Sequence, residues 1–252
     1  MHFTQSVSQL FLVMPVYNEQ DCIKKVLIDW MTALSPLNIK ISFIIINDGS
    51  TDQTSQILKN LEEEQKNSSI KLIILNVKNG GHGAAIMTGI QKAILLNDEK
   101  QRSFIFQIDS DDQFISQDFF KLWPFCNDYH FIFGHRQVRH DAPNRLIISS
   151  IMRILIKIFF NLNTFDPNIP FRLMEINALK KILKHLPSTL FAPNIFITIL
   201  ALSKFPEKCK QGIVVTHKRR ATGKVSIMNF KLLKVCFKSL KQLIHFKFIS
   251  SE

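Results

Sequence analysis

The sequence predicts an α/β protein in which a twisted, mainly parallel sheet is flanked by helices and followed by a basic helical extension. Two patterns predict it. Short, continuous apolar runs alternate with amphipathic stretches through the first half of the chain, which is how doubly covered strands and the helices covering them read in sequence. Each run also ends in a loop rich in Asp, Asn or Gly, the composition expected where the strand ends of an open α/β sheet meet a ligand. The 252 residues, 46% hydrophobic and 21% charged, are those of a folded chain with one good core.

The elements follow in order. LFLVMPV (10–16) reads as a strand, and 21–35 as a helix with Asp21 near its start. Strand ISFIII (41–46), a helix over about 52–65, strand IKLIIL (70–75), a helix over about 84–97 and strand SFIFQI (103–108) come next. HFIFG (130–134) is a further strand; beyond it the pattern turns helical and basic, with a strand at GIVVTH (212–217). Residues 1–228 read as one domain and 229–252 as a basic amphipathic C-terminal helix. Cys22, Cys126, Cys209 and Cys236 form no C-x-x-C pair and read as reduced, in keeping with a cytoplasmic setting. The N-terminus lacks a basic region followed by an apolar core, and no 18-residue apolar run is free of charge; neither a signal peptide nor a transmembrane helix is expected.

Because the strands run the same way, their loops share one edge. They are Pro15-Val-Tyr17-Asn18-Glu19, Asn47-Asp48-Gly49-Ser50-Thr51-Asp52, Asn79-Gly80-Gly81-His82-Gly83-Ala84 and Asp109-Ser-Asp111-Asp112-Gln113. The last is the most informative. Continued strand geometry puts residues i and i+2 on one side, so Asp109 and Asp111 can converge on a hard divalent cation whose shell substrate phosphates complete. The Gly-rich loop, Gly81 above all, can bring backbone N–H groups against a phosphate or sugar. Asp48 and Asp52 can accept hydrogen bonds from a base or ribose; capping the next helix suits Asp52 equally.

PVYNE, NDGSTD, NGGHGAA and DSDDQ, in this order and spacing, resemble the family 2 inverting glycosyltransferases of the GT-A fold, within them the dolichyl- or polyprenyl-phosphate mannose and glucose synthase branch. The resemblance covers residues 10 to about 228. It implies that Pro15, Tyr17, Glu19 and Asp48 hold the nucleobase and ribose of a GDP- or UDP-hexose. It also implies that Asp109, Asp111 and Gln113 bind Mg²⁺ or Mn²⁺ against the donor diphosphate. Gly134-His135-Arg136 and Arg145-Leu-Ile-Ile-Ser149 resemble that branch's site for the acceptor phosphate; Arg145 and Ser149, spaced i, i+4, share a helix face. His217-Lys-Arg-Arg220-Ala-Thr-Gly223-Lys224 resembles a loop that closes on the diphosphate, with Val225 where a serine is expected. Arg220 is the expected diphosphate cation and Lys224 the second. Asp111, Arg136 and Arg220 are thus the expected catalytic set, and Arg172, in Phe171-Arg172-Leu173, suits a structural part as well as a functional one.

Charge and amphipathicity point to a membrane surface. Residues 1–114 carry 10 Lys+Arg against 13 Asp+Glu, and residues 115–252 carry 22 against 7, so the rear of the chain is expected to meet something anionic. In 145–162, Arg145, Ser149, Arg153 and Lys157 lie within about 120° of arc amid apolar residues. In 230–249, Lys231, Lys234, Lys238, Lys241 and His245 lie within about 80°. Such segments suit a lipid interface or packing on the domain. Interleaved aromatic and polar base readers are missing, which disfavours nucleic acid. The expected activity is inverting hexose transfer to a polyprenyl phosphate by a peripheral, cytoplasmic-face enzyme. The alternatives are a glycan hydroxyl acceptor, with Asp141 or Asp166 as base, and a non-catalytic nucleotide- or nucleic-acid-binding module.

Overall fold

A computed structural model of the protein describes residues 6–137, 143–186, 190 and 192–219, with side chains described throughout these except over 143–147. The expected helix at 229–252 lies outside the described residues, so the boundary at 228 is not tested. In chain order the elements are β1 (Gln9–Val16), α1 (Ile23–Leu34), β2 (Lys40–Asp48), α2 (Thr54–Glu64), β3 (Ile70–Val77), α3 (His82–Leu96) and β4 (Ser103–Gln107). There follow α4 (Phe119–Leu122), β5 (Phe131–His135), α5 (Pro143–Phe160), β6 (Arg172–Glu175), α6 (Ile176–Leu183), α7 (Pro193–Lys204) and β7 (Cys209–Val214). Among the described residues they build one seven-stranded sheet in the order β3-β2-β1-β4-β6-β5-β7.

The first four strands are parallel neighbours, with β1 between β2 and β4. β1 is buried along all eight residues, which explains why its sequence is continuously apolar rather than alternating. β6 is the departure. It runs antiparallel between β4 and β5, whereas the sequence had shown only a short Phe-Arg-Leu segment there.

Helix α3 lies across β1 and β2 and comes very close to them. A Cβ at Gly89 would sit 2.5 Å from both Val13 Cγ1 and Ile46 Cδ1, so a side chain there has no room. On the β4 side, Phe106 is the hub of an aromatic cluster, with ring centroids 5.2 Å from Trp30, 5.0 Å from Phe119 and 4.9 Å from Phe171. Tilted and edge-on contacts of this kind add about 0.5–1.5 kcal/mol each beyond area burial.

Gly89→Val overpacks this contact and is expected to lower unfolding free energy by about 2–3 kcal/mol. The midpoint of urea denaturation measures it; an unchanged midpoint would show that α3 sits farther from the sheet.

Candidate active site

The chain leaves β1 toward β2 and β3 on one side and returns to β4 on the other, so the edge beyond β1 and β4 is a topological switch point, where open α/β sheets bind ligands. The first two loops are laced together there. Asn18, at φ 54°, donates its backbone N–H to Ser50 Oγ at 3.0 Å, while its Oδ1 accepts from Thr51 N at 2.8 Å. Glu19 N–H donates to Thr54 Oγ1 at 2.9 Å. Asp52 accepts from Thr54 N at 3.0 Å and from Gln20 N at 3.3 Å, which is the capping alternative left open by its sequence position. Pro15 ends within β1, Tyr17 is 39% exposed, and Glu19 is buried with Cys22 Sγ 3.4 Å from its Oε2.

The Gly-rich loop departs from its expected part. Gly80 N–H and Gly81 N–H donate to Asp48 Oδ1 and Oδ2 at 2.8 and 3.0 Å, and Asn79 Nδ2 donates to Asp48 O at 2.9 Å. The N–H groups expected to meet a substrate phosphate therefore already hold an internal carboxylate, and Asp48, only 4% exposed, anchors a loop. Gly49 makes the approach possible. At φ +68° it occupies left-handed space, and a Cβ there would stand 2.8 Å from Asn79 N.

The acidic loop also differs locally from the expected extended strand. β4 ends at Gln107, so Asp109 and Asp111 sit in irregular backbone, with Asp112 at φ 56°. Asp112 pairs with Lys25 of α1 at 2.9 Å, and Lys25 also reaches Asp29 at 2.9 Å. The hydrogen bonds that Lys25 donates, first to Asp29 and then to Asp112, raise its pKa to about 12. Asp111 Oδ1 accepts from Gln113 N at 3.3 Å. Among the described residues Asp109 Oδ1 is buried and receives no hydrogen bond, and His82 Nε2 lies 3.5 Å from it. A buried carboxylate oxygen without a donor is costly, so this pattern fits a bound cation. Among the described residues no three His, Cys, Asp or Glu side chains gather as a complete protein cage, and a hard cation here would draw on substrate oxygens and water.

Gln113 ties the acidic loop to the rear of the chain. Its Nε2 donates to Lys218 O at 2.9 Å, and Lys218 N donates to Gln113 O at 2.7 Å. With the Phe114–His217 bridge this clasps residues 216–218 against the acidic loop. His217 is buried edge-on to Phe114, and Thr216 N–H donates to Asp118 Oδ2 at 2.5 Å. Burial would raise the Asp118 pKa, but Lys121, 2.8 Å away, and Thr216 together hold it below its ordinary value. Asp118 and Lys25 were not found from sequence; beside their local partners Lys121 and Asp29, the partners that tie them to the site, Thr216 and Asp112, lie 98 and 87 residues away.

The acceptor cations are only partly described. Arg136 makes a bidentate pair with Asp166, at 2.7 and 3.0 Å from Nε and Nη2, and both are largely buried. The expected phosphate ligand and the alternative general base thus neutralise each other. Arg172 is wholly buried, donates to the carbonyls of Ile169, Pro167 and Asn194, and lies 4.8 Å from the Phe133 ring. Burial lowers its pKa to about 9, opposed by Asp166; its part is structural. Ser149 is half-buried on α5. Arg220, Lys224, Asp141 and the Arg145 side chain lie outside the described residues.

Residues 11–186 match the family model described as glycosyl transferase family 2. The chain belongs to this family. Among curated relatives, an undecaprenyl-phosphate 4-deoxy-4-formamido-L-arabinose transferase of Edwardsiella ictaluri is 26% identical over 92% of this chain and 67% of its own length. The Photorhabdus laumondii protein of the same name is 26% identical over 94% and 68%. The chain thus spans about two thirds of these relatives. Glucosyl-3-phosphoglycerate synthase of Mycobacterium tuberculosis, solved with Mn²⁺, UDP and phosphoglyceric acid, superposes with a TM-score of 0.65 at 14% identity, covering 96% of this chain and 79% of that one. The fold of this family 2 glycosyltransferase is therefore GT-A, as the motifs had implied.

Asp118→Ala strands the Thr216 N–H and is expected to loosen the clasp by about 1–3 kcal/mol, read as faster hydrogen exchange at Thr216 and Lys218. Because the folded pKa is depressed, the same loosening should appear in the unmutated protein only as pH falls below the ordinary aspartate value of 3.8. Exchange that ignores both changes would remove Asp118 from the clasp.

Proposed function

We propose that this glycosyltransferase moves a hexose, with inversion, from a GDP- or UDP-sugar to a polyprenyl phosphate at a membrane surface. The observation that carries the reading is the clasp: carboxylates suited to a cation and the start of the basic run 217–220 are drawn to one loop. Scission of the anomeric C–O bond leaves charge on a departing diphosphate, and opposite-sign partners for that charge are what the site needs. Tyr17, Glu19 and Pro15 border the donor end, with Asp48 holding the Gly81 loop in place. Asp109 and Asp111 would hold Mg²⁺ or Mn²⁺, whose chemistry when bound is charge compensation on the diphosphate. Arg220, seconded by Lys224, takes the remaining diphosphate charge.

The acceptor phosphate oxygen attacks the anomeric carbon from the face opposite the diphosphate, one C–O bond forming as the other breaks. An anionic acceptor needs no general base, and the engagement of Asp166 with Arg136 supports that choice over a glycan hydroxyl. Arg145 and Ser149 on α5, with Arg136 beside Asp166, receive that phosphate. The names of the curated relatives, undecaprenyl-phosphate transferases, support the acceptor class.

Peripheral attachment is supported by α5. Ile151, Ile154 and Ile158 are 50%, 57% and 68% exposed, beside exposed Arg153 and Lys157. An apolar face flanked by cations suits the boundary of an anionic leaflet. No helix among the described residues is long and apolar enough to cross a membrane.

The test is transfer in the presence of Mn²⁺ from GDP-mannose, UDP-glucose and UDP-N-acetylglucosamine, with and without undecaprenyl phosphate. Lipid-dependent release of one nucleoside diphosphate is expected, and release that ignores the lipid would overturn the acceptor assignment. Asp111→Asn should abolish metal-dependent transfer while circular dichroism stays unchanged; near-normal turnover would remove Asp111 from the reaction. Replacing Ile151, Ile154 and Ile158 together by Ser should cut binding to phosphatidylglycerol vesicles at least ten-fold, since each buried isoleucine contributes about 1.5–3 kcal/mol. Undiminished sedimentation with vesicles would place the lipid contact elsewhere.

A further inference from the structure

His82 opens α3 directly after the Gly-rich loop, and its side chain is 58% exposed. It fills no part of the core. Its Nε2 stands 3.5 Å from Asp109 Oδ1, the buried oxygen that lacks a hydrogen-bond donor. That spacing is too long for a good hydrogen bond. It is close to the separation of two adjacent ligands on one divalent ion: metal–ligand lengths of about 2.0–2.2 Å put neighbouring donors roughly 3 Å apart. The two atoms need close by only a few tenths of an ångström.

The loop that presents His82 is held firmly. Gly80 and Gly81 are tied to Asp48 from one side, and Gly81 at φ 86° and ψ 161° sets the turn into α3. A Cβ added at Gly81 would meet no atom within 4 Å, so the space beside the start of α3 is open. The imidazole is thus carried by a backbone fixed through Asp48, with its Nε2 already on the side of the carboxylate.

We infer that His82 Nε2 is a direct ligand of the donor-site cation, sharing it with Asp109, with diphosphate oxygens and water completing the shell. The inference rests on the metal-assisted reading above and adds a nitrogen donor to a site otherwise made of oxygen. An imidazole nitrogen strengthens binding of Mn²⁺ and later transition metals relative to Mg²⁺, which carboxylate and water ligands suit better. His82 therefore biases the enzyme toward manganese.

The experiment is pulsed electron paramagnetic resonance on the whole protein with Mn²⁺ and UDP, comparing the unmutated chain with His82→Gln and Asp109→Asn. Directly bound imidazole gives ¹⁴N modulation of the Mn²⁺ echo. That modulation is expected in the unmutated protein and lost in His82→Gln, with Mn²⁺ affinity falling at least ~10-fold, given that even outer-shell partners are worth 10–100-fold, and the Mn²⁺/Mg²⁺ preference falling with it. Mn²⁺ binding that Asp109→Asn removes, but without ¹⁴N modulation in the unmutated protein, would overturn the ligand assignment and leave the metal site standing. Modulation that persists in His82→Gln would overturn it too, in favour of another histidine. No Mn²⁺ binding to the unmutated protein, with or without UDP, would overturn both readings.

Discussion

The site depends on one constraint: backbone and carboxylate groups crowded at the ends of parallel strands must find partners without water. Asp48 shows the solution most plainly. Its buried carboxylate accepts from Gly80 and Gly81, so that the end of β2 fixes the loop leading into α3. An internal anion thereby does what a bound phosphate does at other glycine-rich turns. The same rule sorts the remaining acids of this edge. Asp52 caps α2, Asp112 is held by Lys25, and Asp118 is held by Thr216 and Lys121. Among the described acids of this edge, Asp109 keeps a buried oxygen that no donor reaches.

That sorting bears on how the two unlike halves of the chain meet. The front is slightly acidic and the rear strongly basic. Left to long-range attraction alone, such halves would associate loosely, because exposed charges are screened within about 10 Å at 0.1 M salt. The clasp instead relies on short hydrogen bonds between Gln113 and Lys218 and between Thr216 and Asp118. Its backbone bonds are largely indifferent to salt. Lys218 is therefore delivered to the acidic loop by sheet-like pairing.

Much of the fold was readable because β1 to β3 each announce themselves twice, by a continuous apolar run and by the helix pattern that follows, and β4 by its apolar run ahead of the acidic loop. β6 was not readable. It is four residues long, carries Arg172 and Glu175 at its ends and is buried throughout, so neither periodicity nor composition marks it as a strand. In the site, the motifs located the loops but not their internal partners. Asp48 and the glycines were both identified, yet their bond to each other across 32 residues was not, and the loop was read as waiting for phosphate. Gln113 and Arg136 likewise have partners that the motifs did not disclose: motif position says where a side chain starts, whereas a partner far along the chain decides where it points. Long-range pairing is a property of the folded sheet and leaves no trace in local spacing.

The Arg136–Asp166 pair shows what such a partner does to chemistry. A buried arginine and carboxylate each carry a desolvation cost of several kcal/mol, which their mutual attraction offsets only while both stay in place. Drawing Asp166 off as a proton acceptor would break its bidentate pair with Arg136 and remove a charge that favours the buried Arg172 guanidinium. The carboxylate is thus worth more to the protein as a counter-ion than as a base. An acceptor that arrives already ionised asks nothing of it. Such an acceptor also adds negative charge beside a guanidinium that Asp166 has only just neutralised, so further cations must come from α5 and the basic rear. The excess of positive charge beyond residue 114 answers that requirement: with Asp166 committed to Arg136, a site that receives an anion is served by a positive background.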